Sequence, residues 1–321
     1  MTNHNKRAVV LAAGRSKRMK STLSKVVTPI LGKPVILFLL DALMGAGFAA
    51  EEIILVVSPD HEDVKKAVDR PVRFVVQETP LGTAHALAAA MPLLEGFSGD
   101  LLVTVGDNPY IQAEDLNGLL RAHEDGVAAC TLLSAVFPDT PPPYGRLIRG
   151  ADGGVLRVVE ELDATVQERL IREVNASVYL FDHVRLASRI GRIGNKNKKG
   201  EYYLTDIIAI LNSDGEFVRA VPARNHQVSI GVNNKWELAE AATHLNRLNM
   251  KRLAEENGVL FLQPDTTFVE MGVDIGADTV IHPCTILTGG VKIGERCQIG
   301  PYVSLCGGEI GAGQVITRSP L

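Results

Sequence analysis

Three patterns in the chain predict an α/β domain with a parallel sheet, then a long helix, then a parallel β-helix. Short apolar runs alternate with helical stretches from Ala8 to Val105, as strands do when helices cover both faces of their sheet. Lys235–Asn257 is one continuous amphipathic stretch ending at Gly258. After it, Val269, Ile275, Ile281, Leu287, Ile293, Ile299 and Leu305 recur every sixth residue. That period puts one aliphatic side chain inside each face of a triangular coil. The 321 residues suit about two domains, with boundaries at 1–234, 235–258 for the connecting helix, and 259–321.

Ala8–Leu11 reads as a buried strand, apolar without alternation. Ala12, Ala13 and Gly14 then allow a tight turn whose N–H groups can approach a ligand. Arg15, Lys17, Arg18 and Lys25 surround that turn with four cations, an arrangement suited to a polyphosphate. The turn matches neither the G-x-x-x-x-G-K-[ST] loop nor G-x-G-x-x-G, and taken alone it is also compatible with solvated basic residues.

Next come a helix over about Val35–Ala46 with Gly47 as its cap, a strand at Ile53–Val57, a polar helix at His61–Val68 and a strand at Val72–Val76. A turn at Pro80–Thr83, an alanine-rich helix at Ala84–Leu94 and a strand at Asp100–Val105 follow. Gly14, Gln77, Gly82 and Asp107 all fall just beyond strand ends, where open α/β sheets bind ligands.

From Val127 the pattern turns strand-rich. Strands are expected at Val155–Glu160, at Ile171–Phe181 with Asn175 inside it, at Ala220–Val221 and at Val228–Val232. Glu201–Leu211 looks helical, and Gly191–Gly200 forms a basic, mobile loop. In the repeat region the register slips by one after Leu305, to Ile310 and Ile316, through either a turn irregularity or fraying. Two to three coils are expected.

Composition is that of a soluble globular protein: 46% hydrophobic, 22% charged, net charge −4. The balance excludes a nucleic-acid-coating surface. The longest apolar run is far too short to span a membrane. Four scattered cysteines without a C-x-x-C pair, and the absence of a leader-like N-terminus, point to the cytoplasm. The histidines show no metal-ligand spacing.

Leu11-Ala12-Ala13-Gly14, Arg18-Met19, Lys25, Gln77, Leu81-Gly82-Thr83, Gly106-Asp107, Tyr144-Gly145-Arg146 and Gly200-Glu201-Tyr202-Tyr203-Leu204-Thr205-Asp206 together resemble the sugar-1-phosphate nucleotidylyltransferases. Specifically, they resemble the uridylyltransferase part of the bacterial bifunctional N-acetylglucosamine-1-phosphate uridylyltransferase/glucosamine-1-phosphate acetyltransferase family, over essentially the whole chain. It implies a Rossmann-like nucleotidyltransferase domain, a connecting helix and a short left-handed β-helix that trimerises. It also implies Mg²⁺ as cofactor, with UTP and a hexose 1-phosphate, N-acetylglucosamine 1-phosphate favoured, as substrates.

Carried onto this chain, the resemblance gives Arg18 and Lys25 the catalytic charge neutralisation. Leu11, Ala12, Ala13, Gly14, Arg15, Lys25, Gln77, Gly82, Thr83 and Gly106 go to the nucleotide, with Gln77 and Gly82 reading the uracil edge. Gly145, Glu160, Asn175, Glu201 and Tyr203 go to the sugar. Asp107, a strand-end carboxylate, and Asn233 go to the metal. Asn233 and Asn234 are both also candidates to cap the helix that starts at Lys235.

The chain departs from the family at Ser16-Lys17 (usually Gly-Thr), Val105 (often tyrosine), Tyr110 (usually leucine) and Ala176-Ser177 (Thr-Gly). Because the chain ends at Leu321 after few coils, acetyl transfer is not expected. Alternatives are a nucleotidylyltransferase for another hexose or nucleotide, and a non-catalytic protein that binds nucleotide sugars.

Overall fold

The computed structural model describes residues 5–14 and 17–319, apart from the side chain of Lys17. The chain forms two compact units, one of Met1–Val27 with Val35–Asn233 and one of Thr28–Pro34 with Asn234–Leu321.

The first unit is a nine-stranded mixed sheet between two helical layers. Its strands are β1 (Lys6–Leu11), β2 (Ile53–Val57), β3 (Arg73–Val76), β4 (Asp100–Val105), β5 (Ala128–Val136), β6 (Arg146–Arg149), β7 (Val155–Val159), β8 (Glu173–Asp182) and β9 (Phe217–Pro222). The spatial order is β9-β5-β8-β4-β1-β2-β3, and β6 pairs with both β8 and β7. Ala8 and Val10 of β1 enter one apolar core while Val9 and Leu11 enter the other. Two buried faces explain why this strand is apolar without alternation.

Helices α1 (Val35–Gly45), α2 (Glu62–Ala67) and α4 (Ala113–His123) cover the first face. α3 (Thr83–Ala90), α5 (His183–Ala187) and α6 (Asp206–Ser213) cover the second. In α1, Val35, Ile36, Leu39, Leu40 and Leu43 form the buried stripe. Each such side chain contributes roughly 1.5–3 kcal/mol.

The sheet's strands between Ala8 and Val105 are parallel as expected, β1 to both β2 and β4 and β2 to β3, and the strand-rich part that follows adds antiparallel pairs. β8 runs antiparallel to both β4 and β5, and strand direction leaves no mark in a continuous apolar run. Helix α4 was not anticipated. The alanine-rich helix ends at Ala90 and tightens into a 3₁₀ turn at Met91–Leu94, where Pro92 lacks an amide donor. Residues 201–204 are not helical, because Tyr202 exchanges backbone hydrogen bonds with Leu81 and Ala84, and α6 starts at Asp206. Val228–Val232 is no strand either: a 3₁₀ turn occupies His226–Ser229, held by the Asn225 side chain.

The second unit joins α7 (Lys235–Asn257) to the β-helix. The Asn234 side chain caps α7 by accepting from Trp236 and Glu237 N–H, and Gly258 ends it in the left-handed conformation, φ +72°. Buried Asn246 accepts from Val269 N–H and donates to Thr267 O, tying the helix to the first coil. Two-residue and three-residue strands stack into three parallel sheets, and all seven six-residue-period aliphatics lie inside. A second inward row, two residues earlier, was missed. It includes Val273, Thr279, Thr285, Val291, Cys297 and Val303, all buried. The slip after Leu305 is a turn irregularity, not fraying. Ile293 still pairs with Ile310, and Gly307-Gly308, both at positive φ, take up the missing residue.

Candidate active site

The C-terminal ends of the parallel strands and the start of β8 open onto one cleft of about 680 Å³, lined by residues of the first unit. β1 delivers Leu11, Ala12, Ala13 and Gly14 to it. Ala12 N–H donates to Val56 O at 2.7 Å, which anchors the turn to β2. Among the described residues nothing lies within 4 Å of the position a Gly14 Cβ would take, so they leave the backbone there open to a ligand. Arg15, Ser16 and the Lys17 side chain lie outside the described residues. Gly106 sits behind the turn: its N–H donates to Leu11 O at 2.9 Å and a Cβ would lie 3.2 Å from that of Ala12. It supports the wall without lining it.

Lys25, Asp107, Asn233 and Arg18 converge at one end. The Lys25 ammonium pairs with the Asp107 carboxylate and donates to Asn233 Oδ1 at 3.0 Å. Arg18 donates to the same amide oxygen at 3.0 Å. Arg18 is exposed and does not itself line the cleft. With Asn234 capping α7, Asn233 is left to face the cations, which resolves the ambiguity between them. The loop carrying Asn233 folds onto Asp107: Val232 N–H donates to Asp107 O, and a Cβ on Gly231 would lie 3.1 Å from Asp107 Oδ1.

Among the described residues no group of three or more His, Cys, Asp or Glu could hold a metal. The oxygen donors at this point are one carboxylate and one amide. So sparse a set suits Mg²⁺, which keeps waters and completes its shell with phosphate oxygens.

Gln77 is buried, and its amide nitrogen lies 3.2 Å from Gly82 O and 2.9 Å from His85 Nδ1. The amide oxygen is thereby left for a ligand. Gly82 has φ +121°, and a Cβ there would lie 2.5 Å from Tyr202 O, so no other residue fits. Thr83 opens α3, and its hydroxyl accepts from Leu204 N–H at 2.9 Å.

The opposite wall comes from β6, β7 and β8. Gly145 lets Asn175 approach: its carbonyl accepts from Asn175 N–H at 2.8 Å, and a Cβ would lie 2.8 Å from Val158 Cγ1. Asn175 donates to Tyr179 OH at 2.6 Å and accepts from Ser177 N–H. Ser177 stands at φ +57°, a conformation glycine adopts freely. Glu160 accepts from the Thr205 hydroxyl at 2.9 Å, and burial raises its carboxyl above the ordinary value. Glu201 lines the rim. The Tyr203 hydroxyl is buried with no hydrogen-bond partner among the described residues, and burial pushes its pKa up to about 12.

Three further residues have no role assigned from sequence, although Arg146 stands in a quoted motif. Lys199 lines the cleft with its ammonium 5.9 Å from the Tyr203 ring. Arg146 is buried, holds Tyr144 O and pairs with Glu161 at 2.9 Å, so it braces the loop before Gly145. Asn108 is buried, and its side chain bridges Tyr110 N–H and Val228 O, holding down the chain that leads to Asn233. A polar residue beside each motif was the available signal. Its burial was not.

A family model for MobA-like NTP transferase domains matches residues 8–177, and a bacterial transferase hexapeptide model with six repeats matches residues 272–307. The hexapeptide match identifies the coil as a short left-handed β-helix. Among curated proteins, the chain is 40% identical to a bifunctional protein GlmU of Bacillus velezensis over 313 residues, covering 97% of this chain and 68% of that one. It is 39% identical to one of Brevibacillus brevis over 312 residues (97% and 67%) and 42% identical to one of Geobacter sulfurreducens over 311 (95% and 64%). The chain thus spans about two thirds of the length of these relatives.

Proposed function

The chain belongs to the family of the bifunctional GlmU proteins, and from that premise we propose that it is a sugar-1-phosphate uridylyltransferase. It joins UTP and N-acetylglucosamine 1-phosphate into UDP-N-acetylglucosamine and releases pyrophosphate. The observation that carries this reading is one cleft with two unlike walls. One offers backbone N–H groups and a cation beside Asp107; the other offers Glu160, Asn175 and Tyr203. An anion and a sugar can therefore be held face to face.

The reaction needs no protein nucleophile. A sugar-phosphate oxygen attacks the α-phosphorus in line, and positioning with charge neutralisation does most of the work. Lys25 and Arg18 offset the charge that grows on the triphosphate, and loss of one such preorganised donor costs on the order of 3 kcal/mol. Asp107 and Asn233 would hold Mg²⁺, which when bound withdraws charge from the phosphate oxygens. The Gln77 amide oxygen as acceptor and the Gly82 N–H as donor match uracil and mismatch cytosine, whose edge has donor and acceptor exchanged. Glu160, Asn175 and Tyr203 orient the hexose. Acetyl transfer is not part of this proposal.

Pyrophosphate release measured over a panel of nucleotides and hexose 1-phosphates tests the reading. Turnover is expected with UTP and N-acetylglucosamine 1-phosphate; silence with every pair, despite nucleotide binding, would make this a binding protein. Asp107→Asn should cut Mg²⁺-dependent turnover by about 100-fold or more with an unchanged melting temperature. Unaltered kinetics would remove Asp107 from the metal site. The hexapeptide repeats favour a homotrimer, which light scattering would report as three times the 34.6 kDa chain. Membership in this family supports a location in the cytoplasm beside the nucleotide substrate; among the described residues no helix is long and apolar enough to cross a membrane.

A further inference from the structure

The Lys25 ammonium is committed to both side chains that would hold a divalent cation. It pairs with Asp107 Oδ2 and donates to Asn233 Oδ1 at 3.0 Å. Arg18 donates to the same Asn233 oxygen at 3.0 Å, while the Asn233 amide nitrogen is turned to Gly231 O at 2.9 Å. The other carboxylate oxygen, Asp107 Oδ1, is backed by Gly231, whose Cβ would lie 3.1 Å from it. The Lys25 and Asp107 side chains are only 17% and 14% exposed, so solvent screens their attraction weakly. Held in this way, Lys25 cannot also neutralise a triphosphate, and Asp107 and Asn233 cannot also bind a metal.

The backbone is not free to carry Lys25 away. Lys25 opens a 3₁₀ turn, Lys25–Val27, in which Val26 and Val27 are buried, and Ser24 N–H donates to Asp63 Oδ2 at 2.8 Å. An exchange of partners is therefore a swing of the flexible lysine stem. Charge decides what can drive it. Among the described residues the cluster sets two cations, Lys25 and Arg18, against one carboxylate, Asp107. A divalent cation arriving alone meets like charge and finds its oxygen ligands taken. A triphosphate meets net positive charge and offers the ammonium anionic acceptors in place of Asp107. That exchange releases Asp107 and Asn233, which both line the cleft.

We propose that Lys25 is a placeholder for the metal: its ammonium holds Asp107 and Asn233 and keeps a divalent cation out until nucleotide phosphates draw it off. The inference rests on the uridylyltransferase reading and deepens it, by giving Lys25 a task before any chemistry begins.

The test needs neither turnover nor sugar. Mn²⁺, added alone, is the probe, and its binding to the whole chain is followed by electron paramagnetic resonance. Lys25→Met removes the charge without supplying an oxygen ligand and should bind Mn²⁺ about tenfold or more tighter than wild type. Lys25→Arg keeps a cation and should stay within about threefold of wild type. Adding Asp107→Asn to Lys25→Met should abolish the gain, which assigns it to this carboxylate. UTP titrated in EDTA should move the opposite way, binding about tenfold more weakly to Lys25→Met than to wild type. A merely structural lysine would not strengthen one ligand and weaken the other. Equal Mn²⁺ affinity for Lys25→Met and wild type, or a gain that survives Asp107→Asn, overturns the proposal. Should Lys25→Met fail to fold, wild type decides. Mn²⁺ must then be held at least about tenfold more weakly without UTP than with it, and equal retention overturns the proposal. If no hexose 1-phosphate is turned over, the uridylyltransferase reading fails by itself and the Mn²⁺ comparison still stands.

Discussion

Glu160 shows how a single burial sets a pH dependence. Removal from water holds its carboxyl above the ordinary 4.5, against the opposing pull of the Thr205 hydroxyl and the Lys199 charge. Once the pH passes 4.5, the unfolded chain has released a proton that the folded chain still holds. The contribution of Glu160 to stability is therefore highest in acid and falls as the pH rises through its folded value. Glu160→Gln removes that slope. Melted at about pH 8, the variant should equal or exceed wild type, and the difference should close by about pH 4. Its KM for the sugar phosphate should rise by roughly tenfold, through loss of a charged acceptor. A pH-independent difference in melting temperature would assign the effect to packing. Sequence marked Glu160 as a site residue by resemblance alone; its hydrogen-bond donor, Thr205, lies 45 positions away and becomes a partner only in the fold.

Where α3 begins, elements far apart in sequence are interlocked. Tyr202 N–H donates to Leu81 O and Ala84 N–H donates to Tyr202 O, with Gly82 between them at a φ no L-residue favours. Gly82→Ala must push this crossing apart. It should cost about 1–3 kcal/mol and raise the nucleotide KM by on the order of tenfold, as read by thermal melts and initial rates. A variant with wild-type values would mean that the crossing is slack. The same crossing explains why the Glu201–Leu211 region misled: its composition favours helix, but its first four residues are recruited as an extended partner. Elements whose ends are written locally were legible, β1, β2, β4 and α7 among them, the last through Asn234 and Gly258. The direction of β8 was not, since it depends on neighbours drawn from elsewhere in the chain.

Across the whole molecule, each unit carries its own apolar core. The β-helix was readable because its period repeats a single local rule, whereas the site is gathered from segments between Leu11 and Asn233 that no period connects. Strand-end positions pointed to the wall proposed for the nucleotide, while the wall proposed for the sugar needed the resemblance. The two walls also differ in how they are attached. The wall proposed for the nucleotide hangs from β1, β2 and β4, in the middle of the sheet, but β6 joins β8 through one registered pair, Val174 with Arg146, and among the described residues β7 pairs only with β6. Gly145 and Glu160 flank this lightly fastened ribbon. Its opening free energy should lie below that of the central strands. Amide hydrogen exchange would show this as earlier deuterium uptake at Leu147 and Val158 than at Val103 and Leu180, with the gap narrowing when sugar phosphate binds. The half of the cleft that chooses the sugar would thus be the half that breathes.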